Sequence, residues 1–168
     1  MKRLVFPIIL AALAVLTAPG AKAAMIFTAT LTGAQETPPN ASPGSGLGMV
    51  LLNDAQTQII VDLSWSGLSA PASSAHIHVA PPGIPGAVLF NFTGVPAATS
   101  GMIPEQSFAV TAAQVAQLQA GNFFMDVHTS NFVGGEIRGQ VTLTPEPTSV
   151  WLVGLGLGAA AVARRRMR

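Results

Sequence analysis

Residues 58–66 place Ile59, Val61, Leu63 and Trp65 on one side of an extended chain and Asp62, Ser64 and Ser66 on the other. A period of two marks a strand with one face in a core and the other toward water. The pattern recurs in short runs at 26–32, 47–52, 74–79, 87–92, 123–129 and 136–143, with a looser one at 101–110 around Pro104. Turn residues punctuate the runs, as in Asn53-Asp54-Ala55-Gln56 and Ala80-Pro81-Pro82-Gly83-Ile84-Pro85-Gly86. About eight short strands joined in this way predict an all-β domain, an antiparallel β-sandwich or barrel. The expected interior is Ile59, Val61, Leu63, Trp65, Ile77, Val127, Ile137 and Val141. One stretch departs from the period. Thr111-Ala112-Ala113-Gln114 is a capping box, Val115 and Leu118 share a helical face, and Gly121 ends the turn, so residues 112–120 are predicted to be a short helix.

The two ends differ from this middle. Of 168 residues only 9% are charged, and the bases are segregated. Lys2, Arg3 and Lys22 precede the first strand, and Arg164, Arg165, Arg166 and Arg168 close the chain. Met1-Lys2-Arg3, an apolar run over 4–18 and the small residues Ala21 and Ala23 make a secretory signal peptide, with cleavage expected after Ala23. An uncleaved membrane anchor is the alternative; either way the middle domain is exported. At the other end Pro145-Glu146-Pro147 precedes an apolar, Gly-rich run over 150–163 and then Arg164-Arg165-Arg166. Fourteen helical residues reach about 21 Å, short of the ~30 Å hydrocarbon core. With Trp151 at its head and arginines at its foot, the segment suits a transient anchor and sorting device. The expected division is therefore 1–23 signal peptide, 24–144 β domain and 145–168 sorting segment.

Between the ends one base, Arg138, stands against six acids: Glu36, Asp54, Asp62, Glu105, Asp126 and Glu136. Such a domain lacks the basic footprint of a nucleic-acid binder. Absence of cysteine excludes disulfides, thiolate metal sites and a cysteine nucleophile. There is no Gly-x-Ser-x-Gly elbow, and Gly44-Ser45-Gly46-Leu47-Gly48 lacks the lysine and following helix of a phosphate loop. A glycosidase pair needs two carboxyls at about 5–5.5 Å or 6.5–9.5 Å across a cleft, and so few charges offer little substrate apparatus. Asn40-Ala41-Ser42 and Asn91-Phe92-Thr93 are sequons by pattern only.

Polar chemistry collects in three runs. His76 and His78 leave one face of a strand, His128 and Asp126 share a face of another, and Glu136, Arg138 and Gln140 alternate along a third. Three imidazoles with an optional carboxylate fit Zn²⁺ or Cu²⁺. The competing account, favoured on sequence, makes the histidines hydrogen-bonding architecture. They would bond a carbonyl of the 81–86 loop, or Glu36 and Glu136. Arg138 is likewise expected to tie Glu36, Asp126, Glu136 and Gln140 into a structural network; recognition of a carboxylate or sulfate is its alternative role.

Two resemblances follow from these motifs. Pro145-Glu146-Pro147-Thr148-Ser149, the apolar run and Arg164-Arg165-Arg166 resemble the PEP-CTERM sorting signal of Gram-negative bacteria. That resemblance implies cleavage by an exosortase-type membrane peptidase, a cell-surface or extracellular destination, and an exopolysaccharide setting. Leu31-Thr32-Gly33-Ala34-Gln35-Glu36-Thr37-Pro38-Pro39, Ala75-His76-Ile77-His78, Pro82-Gly83, Pro85-Gly86, Val127-His128-Thr129 and Gly135-Glu136-Ile137-Arg138-Gly139-Gln140 resemble the CHRD domain, the module named from chordin. Phe124 stands where that family often has tyrosine. The resemblance implies no catalytic activity. His-x-His on a sandwich strand is also similar to copper/zinc superoxide dismutase, but three histidines are too few for its two-metal site. The expected fold is thus immunoglobulin-like or superoxide-dismutase-like.

The function expected first is a non-enzymatic binding or structural module, exported, held at the inner membrane and then released to the surface or matrix. Signal peptidase and exosortase are the expected partners, with matrix or polysaccharide as a ligand class and no nucleic acid. A histidine-based metal or redox protein comes second, and a polysaccharide-active enzyme third.

Overall fold

The computed structural model describes residues 24–144; the readings at residues 1–23 and 145–168 fall outside this range. Nine strands follow one another as β1 (Met25–Thr32), β2 (Ser45–Leu52), β3 (Gln58–Ser66), β4 (Ala72–Val79), β5 (Ala87–Asn91), β6 (Gly101–Ala109), β7 (Phe123–Thr129), β8 (Ile137–Gln140) and β9 (Thr142–Leu143). The helix α1 (Ala112–Gln119) lies between β6 and β7. Every pairing is antiparallel, in the order β5-β4-β7-β8-β1-β2-β3-β6, with β9 added alongside β1. The sheet curls into a nearly closed barrel-like sandwich. Side chains bridge its two edges: Phe90 and Phe108 stack at 4.7 Å, and Gln106 Nε2 donates to the Thr93 carbonyl at 2.7 Å.

The interior is the set that the alternation singles out. Ile59, Val61, Leu63, Ile77, Val127, Ile137 and Val141 are all sealed from solvent. Trp65 joins them, its Nε1–H donating to the Ala98 carbonyl. Phe27, Leu31, Phe123 and Met125 complete the same core. Pro104 is tolerated because β6 is an edge strand paired only with β3. Opposite Val61 to Leu63, β6 carries one residue more, and this bulge takes up Pro104-Glu105.

The helix follows its caps. Gln114 N–H donates to Thr111 Oγ1, and Thr111 N–H donates to Gln114 Oε1. Gly121 adopts φ +73°, the left-handed conformation that favours glycine at a helix C-terminus. Val115 and Leu118 face the core. The expected run over 136–143 is not one strand. β8 pairs with β7, then Val141 turns inward and β9 pairs with β1. One short segment thereby links two parts of the curl.

Candidate metal centre

β7 is the central strand of the polar face. Its residues Phe123, Met125 and Val127 enter the core, so Phe124, Asp126 and His128 emerge on the opposite side. β4 on one flank adds His76 and His78; β8 on the other adds Arg138 and Gln140. Register fixes the arrangement: His76 lies directly across from Asp126, His78 from Phe124, and Arg138 from Asp126 on the far side. Asp126 therefore has His76 directly opposite, His78 on the diagonal and His128 two residues along its own strand. Loops over 33–40, 80–86 and 130–135 cover the face and exclude most of the water.

His76 Nδ1, His78 Nε2, His128 Nε2 and the Asp126 carboxylate all lie within 4.8 Å of one another. His78 Nε2 and His128 Nε2 are 3.0 and 3.1 Å from Asp126 Oδ2, and His76 Nδ1 is 3.5 Å from Oδ1. His76 Nδ1 and His128 Nε2 are 3.1 Å apart. Tetrahedral ligands on a Zn²⁺ ion with bonds of about 2.0–2.1 Å stand about 3.3 Å from each other. The shorter of these separations, 3.0 to 3.5 Å, are close to that spacing.

Proton placement strengthens the point. His78 Nδ1 donates to the Gly86 carbonyl and His128 Nδ1 to the Val133 carbonyl, each at 2.9 Å. A carbonyl only accepts, so the single proton of each neutral ring sits on Nδ1. Both rings then aim bare Nε2 lone pairs at a carboxylate. His78 Nε2 and Asp126 Oδ1 are buried with no hydrogen-bond partner, despite their close neighbours. Lone pairs facing an anion repel unless a positive charge stands between them. That charge is either a second proton on each ring or a shared cation. Backbone carbonyls that fix tautomer and ring plane in this way are typical of the support around metal-bound histidines.

The electrostatics follow the same geometry. Burial would raise the Asp126 carboxyl, but in the proton-bearing state of the cluster His128, His76 and His78 donate to it, which overcomes burial and holds the group far below the usual carboxylate range. For His78 and His128, burial disfavours the charged ring, yet contact with Asp126 outweighs it and both are raised. Glu36, only 8% exposed, is pushed to about 7, first by burial and then by the charge of Asp126. Its Oε1 is buried without a partner. The carboxyl packs where Gly135, at φ +128°, leaves no Cβ; one built there would lie 2.5 Å from Oε1.

The five residues expected to form one polar network separate into distinct sets. Glu136, 0% exposed, accepts from Ser42 Oγ, Ser69 N, Ser69 Oγ and Thr129 Oγ1 at 2.6, 2.6, 3.0 and 2.6 Å. It bonds neither Arg138 nor a histidine, because β8 begins only at Ile137 and the preceding backbone sends its side chain toward the 42 and 69 loops. Arg138 donates to Thr37 Oγ1, the Pro81 carbonyl and Gln140 Oε1. Gln140 Nε2 ties the Ala80 and Gly121 carbonyls together. Asp126 belongs to the histidines. The expected pairing of histidines with Glu36 or Glu136 is replaced by Asp126, whereas the expected bond to a carbonyl of the 81–86 loop is present at Gly86.

Val133, Ser42, Ser69 and Thr129 were not singled out in the sequence. The first acts through its backbone, and the others are single hydroxyl residues dispersed over three segments. The processing residues Ala21, Ala23, Pro145, Glu146, Pro147, Arg164, Arg165 and Arg166 lie outside the described residues. No helix among the described residues is long and apolar enough to cross a membrane.

Comparison with protein families finds two matches. The CHRD domain model matches residues 27–141, and that of the PEP-CTERM protein-sorting motif matches residues 143–166. No curated protein matches the chain.

Proposed function

The chain belongs to the CHRD domain family and ends in a PEP-CTERM sorting motif, and from that premise we propose that it is an exported, non-enzymatic surface module that holds Zn²⁺ or Cu²⁺ on His76, His78, His128 and Asp126. The sorting motif supports export, passage through the membrane and processing by exosortase. Delivery to the outer surface or matrix is the destination proposed.

The metal reading rests on one observation. The Gly86 and Val133 carbonyls occupy both Nδ1 protons, so two bare nitrogens converge on Asp126 within coordination distance. Imidazole and carboxylate donors without thiolate suit Zn²⁺ and Cu²⁺. A proton-held structural cluster is the competing reading, favoured by the raised histidines. It requires up to two imidazolium charges beside one carboxylate, and it weakens above neutral pH. A glycosidase pair gains no support, because Glu136 is taken up by three hydroxyls and the Ser69 amide, and Asp126 Oδ2 is closed in by imidazoles.

Calorimetric titration of the chelator-stripped full chain with Zn²⁺ and Cu²⁺ at pH 7.5 tests this, beside the His76→Ala/His78→Ala double variant. A ligand that binds only the folded state stabilises it by about 2.7 kcal/mol at a hundredfold excess over Kd. Wild type should show saturable heat and a raised thermal midpoint, and the variant neither. Identical responses from the two proteins would reduce the histidines to architecture.

A further inference from the structure

Beside the histidine cluster, and separate from it, Arg138 forms part of the floor of a cleft of about 350 Å³ walled by Ala34, Glu36, Thr37, Pro82 and Gly83. Arg138 is the one base among the described residues and is 2% exposed. A guanidinium removed from water ordinarily has an anionic partner, since an unpaired buried charge is costly. Here no carboxylate lies within 4.0 Å of it among the described residues. Its acceptors, Thr37 Oγ1, the Pro81 carbonyl and Gln140 Oε1, are all neutral, and two of the three bonds are long at 3.4 Å. The Phe124 ring lies 3.5 Å from Cζ and holds the guanidinium plane in place. Glu36 and Asp126 both act favourably on the guanidinium, but neither carboxylate comes within salt-bridge distance of it. Asp126 is engaged by three imidazoles, and the Glu36 carboxyl, raised by burial, packs against Gly135.

We propose that this cleft is a second ligand site, in which Arg138 and Thr37 bind a small oxyanion, a carboxylate above all. The rigid loop prolines Pro39 and Pro82 limit the cleft to a small head group. A carboxylate accepting from the guanidinium would replace one of the long neutral bonds with a shorter, charge-assisted one. Arg138 is no member of the histidine cluster, so the site stands whether or not the cluster takes a metal.

The test is an NMR titration of the ¹⁵N-labelled full chain, kept in mild detergent and treated with chelator. The resonances followed are Arg138 Nε–H and the Thr37 and Gly83 amides. Sodium acetate, sodium glucuronate and sodium sulfate are the probes, against sodium chloride at matched ionic strength. Saturable shifts with acetate are expected and none with chloride. Tighter binding of glucuronate would place a sugar-borne carboxylate in the cleft, whereas equal binding of sulfate would make it a general oxyanion site. Ala34→Phe, at an exposed position on the cleft wall, should fill the cleft and abolish the shifts while leaving the thermal midpoint unchanged. Arg138→Gln should weaken binding by about tenfold or more. The proposal is overturned by shifts that never saturate and match those of chloride. Saturable shifts that persist in Ala34→Phe overturn it equally, and neither result bears on metal binding.

Discussion

His78 and Phe124 stack face to face across neighbouring strands, their ring centroids 4.8 Å apart and their planes 8° from parallel. The stack sets the imidazole plane, and in that plane Nδ1 meets the Gly86 carbonyl while Nε2 points at Asp126. Phe124 thus orients His78, one of the proposed ligands. Phe124→Leu should preserve the fold and weaken Zn²⁺ or Cu²⁺ binding by about tenfold or more, the usual cost of removing a supporting residue around a metal. Calorimetric Kd values for the two proteins decide it. Unchanged affinity would mean that the Gly86 bond alone orients His78.

Glu136 should dominate stability more than any other polar residue. Its carboxylate closes the Ser42 and Ser69 segments onto Thr129 of β7 through four hydrogen bonds. Glu136→Ala leaves the half-buried Ser42 and buried Thr129 hydroxyls, together with the Ser69 donors, without their acceptor. A loss of about 3 kcal/mol or more is expected. In urea this should appear as a lower midpoint with an unchanged slope. A loss under ~1 kcal/mol would show that the loops are held by other contacts.

Glu36 should make the metal-free domain less stable as pH rises. Its carboxyl titrates at about 7 when folded and near 4.5 when free. Between those values the folded state retains a proton that the unfolded state has released, so stability falls as pH climbs through that window. At pH 8 the penalty is on the order of 3 kcal/mol. Glu36→Gln should be more stable than wild type at pH 8 and equal to it near pH 4. Comparing the two isolates Glu36 from the raised histidines, whose contribution is also lost as pH rises. Parallel curves for wild type and variant would rule out the raised carboxyl.

Processing should leave a secreted chain that begins at Ala24 and ends near Pro147 in a host that carries exosortase. Intact-mass measurement on secreted protein reads both ends at once. Recovery of protein from the medium with Arg164, Arg165, Arg166 and Arg168 still attached would contradict it.

The core was legible because alternation speaks directly about faces. Once Ile59, Val61, Leu63 and Trp65 fall on one side, their burial follows from the strand itself. The capping box at Thr111 and Gln114 is local for the same reason. The histidines were legible as candidates, since His76 and His78 are two residues apart and His128 shares a face with Asp126. Their union depends on β4 pairing with β7, a contact between residues about fifty apart that no local pattern encodes. Glu136 was misassigned because the alternation was extended one residue past the true start of β8. Its real partners, Ser42, Ser69 and Thr129, come from three separate segments, which leaves no periodic trace.

The split of the last strand at Val141 also determines how the domain bears load. β9 contributes only two register pairs with β1, both of its residues are exposed, and Thr144 N–H reaches the Ile26 carbonyl just beyond them. Tension drawn through the C-terminal segment therefore meets this weak pairing first and peels it away from β1. It then arrives at Val141, whose side chain is locked in the core and whose amide is bonded to the Phe123 carbonyl at 2.8 Å. Under such tension the short strand would yield before β7 and β8 are strained, and the histidine face would keep its shape.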